Sequence, residues 1–251
     1  MSLLAADEPA PFTVTRSDGA SPFVLAVDHA GLDMPRAVGD LGVSAAERAR
    51  HIGWDIGILG VSERLSALLD APVVATRYSR LVIDCNRDPS VPTAFVTVSE
   101  DTPVPGNFAL SEVARAKRVA ALFTPYHEAI AALLDRRAAA RTETVLVAMH
   151  SFTPRFRGVD RPWHVGVLYG RDDRLARRML AAFRAEGDLV VGDNEPYQVT
   201  NLTDYTVPVH GERRGLLHVE LEVRQDLIAE AAGQAAWAER LARLLGQASL
   251  D

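Results

Sequence analysis

Residues 144–154 read T-V-L-V-A-M-H-S-F-T-P. Thr144 to Met149 form a short apolar run of the kind that fills a strand buried on both faces. The run hands off directly to His150. Ligands in α/β proteins sit at the carboxyl ends of strands, so this position matters for chemistry as well as for fold. The same pattern occurs at the start of the chain, where F-V-L-A-V (23–27) runs into D-H-A-G (28–31). Taken alone, His29 reads as a loop histidine bonded to backbone. Two buried strands that each deliver a histidine at one sheet edge are harder to ascribe to accident.

Further apolar runs alternate with helical spacing. Pro72–Ala75, His164–Tyr169, Leu189–Val191 and Leu217–Arg224 read as strands. Ile58, Val61, Leu65, Leu68 and Leu69 recur at helical intervals, and Asp55 stands just before them, where it would complement the helix dipole. Ser44 with Glu47 forms a capping box, Ser111 caps a long helix to about residue 140 that Pro125 kinks or divides, and a terminal helix spans about 226–245. Helices alternating with buried strands predict a three-layer α/β/α fold with a mixed, mostly parallel sheet.

The stretch R-Y-S-R-L-V-I-D-C-N-R (77–87) has an apolar centre, Leu81-Val82-Ile83, read as a buried strand. Asp84, Asn86 and Arg87 would then stand at its end, with Arg77 and Arg80 at its start. From 217 to 224 the chain alternates strictly, placing His218, Glu220, Glu222 and Arg224 on one face. That face is either an exposed edge or the polar wall of a cleft. Residues 89–107, rich in Pro, Thr, Ser and acids, read as an active-site rim. Tyr126 and His127 fall inside a helix and read as structural.

With 251 residues, 48% hydrophobic and 24% charged, the chain suits one α/β domain (21–251) behind an arm (1–20) without regular structure. A formal charge of −6 without basic runs argues against nucleic acid and anionic membrane as partners. One cysteine, Cys85, excludes an intrachain disulfide, and no signal-peptide or transmembrane pattern stands out, so a cytoplasmic protein is expected. Oligomeric state is not legible.

Two histidines and a nearby carboxylate form a catalytic zinc set, with a further carboxylate as general base and then acid. Arginines that fork onto a carboxylate would hold a substrate. No HExxH, CxxC, GxSxG, P-loop or GxGxxG string is present. Two other readings stand beside a zinc hydrolase: a non-catalytic binder of anionic ligands, and a metal-independent hydrolase using Cys85.

The strings S-R-L-V-I-D-C-N-R (79–87), D-H-A-G (28–31), W-D-I-G (54–57), H-S-F-T-P (150–154), N-E-P-Y (194–197), H-G-E-R-R-G (210–215) and V-E-L-E-V-R-Q-D-L (219–227) resemble, in order, those of the N-formylglutamate amidohydrolase family. The resemblance implies a phosphorylase/hydrolase-like fold similar to zinc carboxypeptidases, and metal-assisted hydrolysis of a linear amide. It implies His29 and His150 as zinc ligands, with Asp55 as the third and Asp33 as its alternative. It makes Glu222 the general acid/base and Asn86-Arg87 a clamp for the substrate carboxylate. Arg80 would polarise the scissile carbonyl or bind a second carboxylate, and His210 and Tyr197 would line the cleft. The substrate implied is an N-formyl or N-acyl amino acid carrying a carboxylate, N-formylglutamate-like. The E-V-R-Q-D-L ending resembles a broader branch, which leaves the acyl group and amino acid open.

Overall fold

A computed structural model describes residues 2–249. Met1 of the expected arm and residues 250–251 of the expected domain lie outside the described residues. The strands in chain order are β1 (Phe12–Thr15), β2 (Phe23–Val27), β3 (Val73–Thr76), the hairpin β4 (Val98–Ser99) and β5 (Thr102–Pro103), β6 (Val145–Phe152), the hairpin β7 (Arg155–Phe156) and β8 (Val159–Asp160), β9 (Val165–Leu168), β10 (Val191–Asp193) and β11 (Leu217–Arg224). The helices are α1 (Ala45–Arg48), α2 (Ile58–Leu69), α3 (Glu112–Arg118), α4 (Thr124–Ala139), α5 (Arg174–Glu186) and α6 (Ala231–Ser249).

Seven strands form one sheet in the order β1-β3-β2-β6-β11-β9-β10. β3, β2, β6 and β11 run parallel, as do β9 and β10, while β1 against β3 and β9 against β11 are antiparallel. The sheet is therefore mixed and mostly parallel. Successive residues point to opposite faces, and both faces are covered. Leu25, Val147 and Leu221 join α2, α5 and α6 in the largest core, while Val24, Val74 and Leu146 pack on Tyr126, Ile130 and Leu133 of α4. Each fully buried side chain of this kind contributes about 1.5–3 kcal/mol.

The chain leaves β2 for β3 on one side and returns to β6 on the other. The carboxyl ends of β2 and β6 thus flank a topological switch point, the position where α/β sheets open a crevice. His29 follows β2. His150 lies inside β6, which continues to Phe152 instead of ending at Met149.

Two expectations are corrected. Residues 12–15 form edge strand β1 in the main sheet, so the arm is not devoid of regular structure. Leu81-Val82-Ile83 is fully buried but is not a strand: Leu81 and Val82 lie in a turn that starts at Arg80, and Ile83 follows without regular structure. The backbone explains why. Ser79 accepts from the amides of Leu81 and Val82, Asn107 Nδ2 donates to Leu81 O at 2.9 Å, and Arg118 Nη1 donates to Val82 O at 2.8 Å. Side chains and turn bonds meet the needs that a strand ladder would otherwise meet. The apolar trio serves a separate cluster with Phe95, Val104, Leu122 and Phe123, beneath the 89–107 excursion.

Elsewhere the differences are small. Ser44 and Ser111 cap α1 and α3 as expected. The long helix divides at a π turn, Val119–Phe123, which puts Pro125 in the first turn of α4, where its missing N–H costs nothing. The strand expected at 189–191 lies at Val191–Asp193, and a 3-10 turn at Gln225–Leu227 precedes the terminal helix.

Candidate metal centre and hydrolytic site

The loop after β2 can carry His29 inward because Gly31 lies against the next segment. A Cβ there would meet Arg77 O at 1.8 Å, so only glycine lets the D-H-A-G loop reach the R-Y-S-R stretch. Asp55 lies immediately ahead of α2, its amide bonded to His29 O at 2.9 Å. Those two segments and β6 bring three buried side chains together.

His29, Asp55 and His150 form a group whose ligand atoms all lie within 4.8 Å of one another, and which could hold a metal ion. His150 Nδ1 is 3.0 Å and His29 Nδ1 3.4 Å from Asp55 Oδ2. His29 Nδ1 is buried without a hydrogen bond. Each Nε2 faces a carboxylate: His29 to Asp84 Oδ1 at 2.7 Å and His150 to Asp28 Oδ2 at 3.1 Å. Carboxylates behind imidazoles fix the tautomer and leave the opposite nitrogen to a metal. The other choice of ligand, Asp33, has its carboxylate more than half exposed beside Arg77 and is not in the group.

Arg80 ties the carboxylates down, with Nη1 3.3 Å from Asp55 Oδ1 and Nη2 2.6 Å from Asp84 Oδ2. The turn at 80–82 is what permits this. In an extended strand residues four apart would be about 13 Å apart. Burial opposes the charges throughout the cluster, but the opposite charges outweigh it. Asp84 is held well below the usual carboxylate range by Arg80 and His29, and Asp55 is held low by His29 and His150. His29 is raised although burial and Arg80 both oppose its protonation, because Asp84 and Asp55 face it.

β11 supplies the remaining carboxylates. Glu222 is the register partner of His150. The face carrying His218, Glu220 and Glu222 is buried, so it is a polar wall and not an exposed edge. Glu222 Oε2 and Glu220 Oε2 have no hydrogen-bond partner. Burial pushes Glu222 up to about 7, His150 works against it, and Asp55 adds to the rise. Burial and then Asp204 push Glu220 well up.

The other expected residues divide. Asn86 is buried; its Oδ1 accepts from the amides of Tyr205 (2.9 Å) and Thr206 (3.0 Å), and Nδ2 donates to Asp204 at 3.2 Å. One N–H of its amide remains unspent. Arg87 is half-buried near Asp84 and Asp204; its amide donates to Asp84 O at 3.3 Å, and among the described residues its guanidinium has no hydrogen-bonded partner. Tyr197 stands partly exposed at the rim. His210 is buried and stacked on His127, with its Nε2 3.1 Å from His127 Nδ1. Cys85 is buried, its thiol pushed well up by burial, and His127 bonds its carbonyl and not its sulfur. That removes the basis for a thiolate nucleophile.

Sequence reasoning missed Asp28. It backs His150 through Oδ2, while Oδ1 accepts from Tyr126 Oη at 2.9 Å and Thr206 Oγ1 at 2.5 Å. The only signal was its place beside His29 at a strand end.

Two carboxylate-backed imidazoles, a third carboxylate and an unpaired glutamate at the switch point of an α/β sheet form the donor set of a hydrolase site. The model of the N-formylglutamate amidohydrolase family matches residues 21–229, and the chain belongs to that family of amide hydrolases. Among solved structures it is similar to gene product Atu2144 from Agrobacterium tumefaciens, 38% identical with a TM-score of 0.95, over 99% of this chain and 98% of that one. It shares its fold with the N-formylglutamate amidohydrolase from Ralstonia eutropha JMP134, 21% identical with a TM-score of 0.70, over 96% of this chain and 98% of that one. No curated protein matches it significantly. Among the described residues no helix is long and apolar enough to cross a membrane.

Proposed function

We propose that the chain is a zinc-dependent amidohydrolase that splits the amide of an N-formyl or N-acyl amino acid. The observation that carries this reading is the unbonded, buried His29 Nδ1, gathered with His150 Nδ1 and Asp55 into one group beside the unpartnered Glu222 Oε2. Nitrogen, nitrogen and carboxylate oxygen make an open zinc set. When bound, zinc supplies a water of lowered pKa and polarises the scissile carbonyl.

The chain's own groups do the rest. Asp84 and Asp28 hold the imidazoles so that each presents Nδ1. Arg80 keeps Asp84 anionic and pairs with Asp55, and the N–H groups it has left serve the developing oxyanion. Glu222 takes a proton from the attacking water and delivers it to the amide nitrogen as the C–N bond breaks, giving a carboxylate and a free amine. Its pKa near neutrality suits both transfers. Arg87 forks the substrate carboxylate, with the remaining Asn86 N–H beside it. Tyr197 and His210 complete the cleft and its backing. The absence of long basic runs and the net charge of −6 fit a small-molecule substrate, and the single cysteine fits a cytoplasmic setting.

The test is a screen of N-formyl and N-acetyl amino acids for amine release, with and without a chelator, alongside metal analysis. Chelator-sensitive release with one equivalent of zinc is expected. Full activity in metal-free protein would overturn the zinc reading, and no release from any member of the panel would overturn the amidohydrolase reading.

A further inference from the structure

One cation at the rim has no part in the chemistry above. The Arg161 guanidinium carbon lies 4.7 Å from the centroid of the Phe156 ring, 4.8 Å from that of Tyr197 and 5.9 Å from that of Phe152. Its Nη1 donates to Tyr197 Oη at 2.8 Å. Among the described residues no carboxylate pairs with it. Aromatic faces hold a guanidinium through its plane and leave its N–H edge free. Of five N–H groups one is spent.

Its position is fixed by the strands that carry the site. Phe152 ends β6 two residues after His150, and its register partner Arg224 ends β11 two residues after Glu222. Arg224 Nη1 donates to the carbonyls of Arg161, Pro162 and Trp163 at 3.5, 3.4 and 3.3 Å. The Arg161 amide donates to Pro154 O at 2.8 Å. Tyr197 arrives on a loop that lies against β9 at Gly166, the register partner of Glu222 on β11. A Cβ on Gly166 would meet Glu195 O at 2.2 Å and Glu222 Cβ at 3.3 Å. Arg161 and Tyr197 thus close one side of the space in front of Glu222.

We propose that Arg161, boxed by Phe152, Phe156 and Tyr197, is a specificity residue that forks the side-chain carboxylate of an acidic N-acyl amino acid. This rests on the amidohydrolase reading. Arg87 then takes the α-carboxylate and Arg161 the second, so that a dicarboxylate is held at both ends across the scissile amide. A neutral side chain would leave the guanidinium edge without its anion.

The experiment compares N-formyl-L-glutamate with N-formyl-L-glutamine in the wild type, Arg161→Met and Arg161→Lys. Methionine keeps an apolar stem against the rings, and lysine keeps the charge without the fork. The expected result is a fall in kcat/KM for the glutamate substrate of roughly 100-fold in Arg161→Met, mostly through KM, with the glutamine substrate changed less than about 3-fold. Arg161→Lys should recover part of the loss. Equal losses on both substrates with a lowered Tm would make Arg161 a structural staple and overturn the proposal. Calorimetric binding of L-glutamate and L-glutamine to the same proteins separates this inference from the hydrolytic one. If the wild type turned over neither substrate, a glutamate preference present in the wild type and absent in Arg161→Met would still uphold the anchor. The same preference in both proteins, or none in the wild type, would overturn it.

Discussion

His29 and Asp84 are joined by a 2.7 Å contact between Nε2 and Oδ1, and Asp84 Oδ2 meets Arg80 at 2.6 Å. One carboxylate therefore aims an imidazole at the candidate metal position and is itself kept charged by a guanidinium. Asp84→Asn keeps the shape but removes the charge. Affinity for zinc should fall about 10–100-fold, read by competition with a chromogenic chelator. Unchanged affinity would show that Asp84 only fastens Arg80.

Glu222→Gln tests the proton carrier. The amide is isosteric and adds no charge, so metal content and Tm should stay near wild type while kcat drops by about 100- to 10,000-fold. Near-normal kcat on the best substrate from the screen would assign the proton transfers to another group.

Asn86→Ala distinguishes two uses of one side chain. Its loss leaves the amides of Tyr205 and Thr206 without their buried acceptor, a cost of about 1–3 kcal/mol for each group left unsatisfied. Urea unfolding should show that loss. If KM for carboxylate substrates rises as well, the remaining N–H takes part in binding; if stability is unaltered, the 204–206 segment is held by other means.

Stability should depend on pH through His127. Burial lowers its pKa to about 4, and burial lowers that of His210, its stacking partner, to about 3. Between about pH 6.5 and 4 the unfolded imidazole takes up a proton that the folded one refuses. The unfolded state binds more protons in that window, so stability is complete above pH 6.5 and is lost as pH falls towards 4. For His127 the full effect is on the order of 3 kcal/mol. His127→Gln, compared by urea midpoints at pH 7 and pH 5, should flatten the dependence. An identical pH dependence in the variant would place the effect elsewhere.

The sequence by itself determined the layers and the strand ends. Val145–Met149 and Phe23–Val27 are apolar on both faces, as a strand covered on both sides requires; His150 follows the first at once and His29 the second after Asp28. The alternation of Leu217–Arg224 marked Glu222 for one face and Leu221 for the other. Edge strand β1 was not legible, because Thr13, Val14 and Thr15 are exposed and pair with only one neighbour.

What only the tertiary structure decided is how the polar groups share their bonds. Leu81-Val82-Ile83 has a strand's composition, yet Asn107 and Arg118, distant in sequence, cap its carbonyls and hold it as a turn. That turn brings Arg80 back onto Asp84. That Asp55 rather than Asp33 gathers with His29 and His150, and that Asp28 backs His150, depend likewise on which segments meet at the switch point between β2 and β6. A one-dimensional pattern records which side chains are apolar. It does not record which buried donor finds which acceptor, since those partners are tens to more than a hundred residues apart and are matched only when the sheet closes.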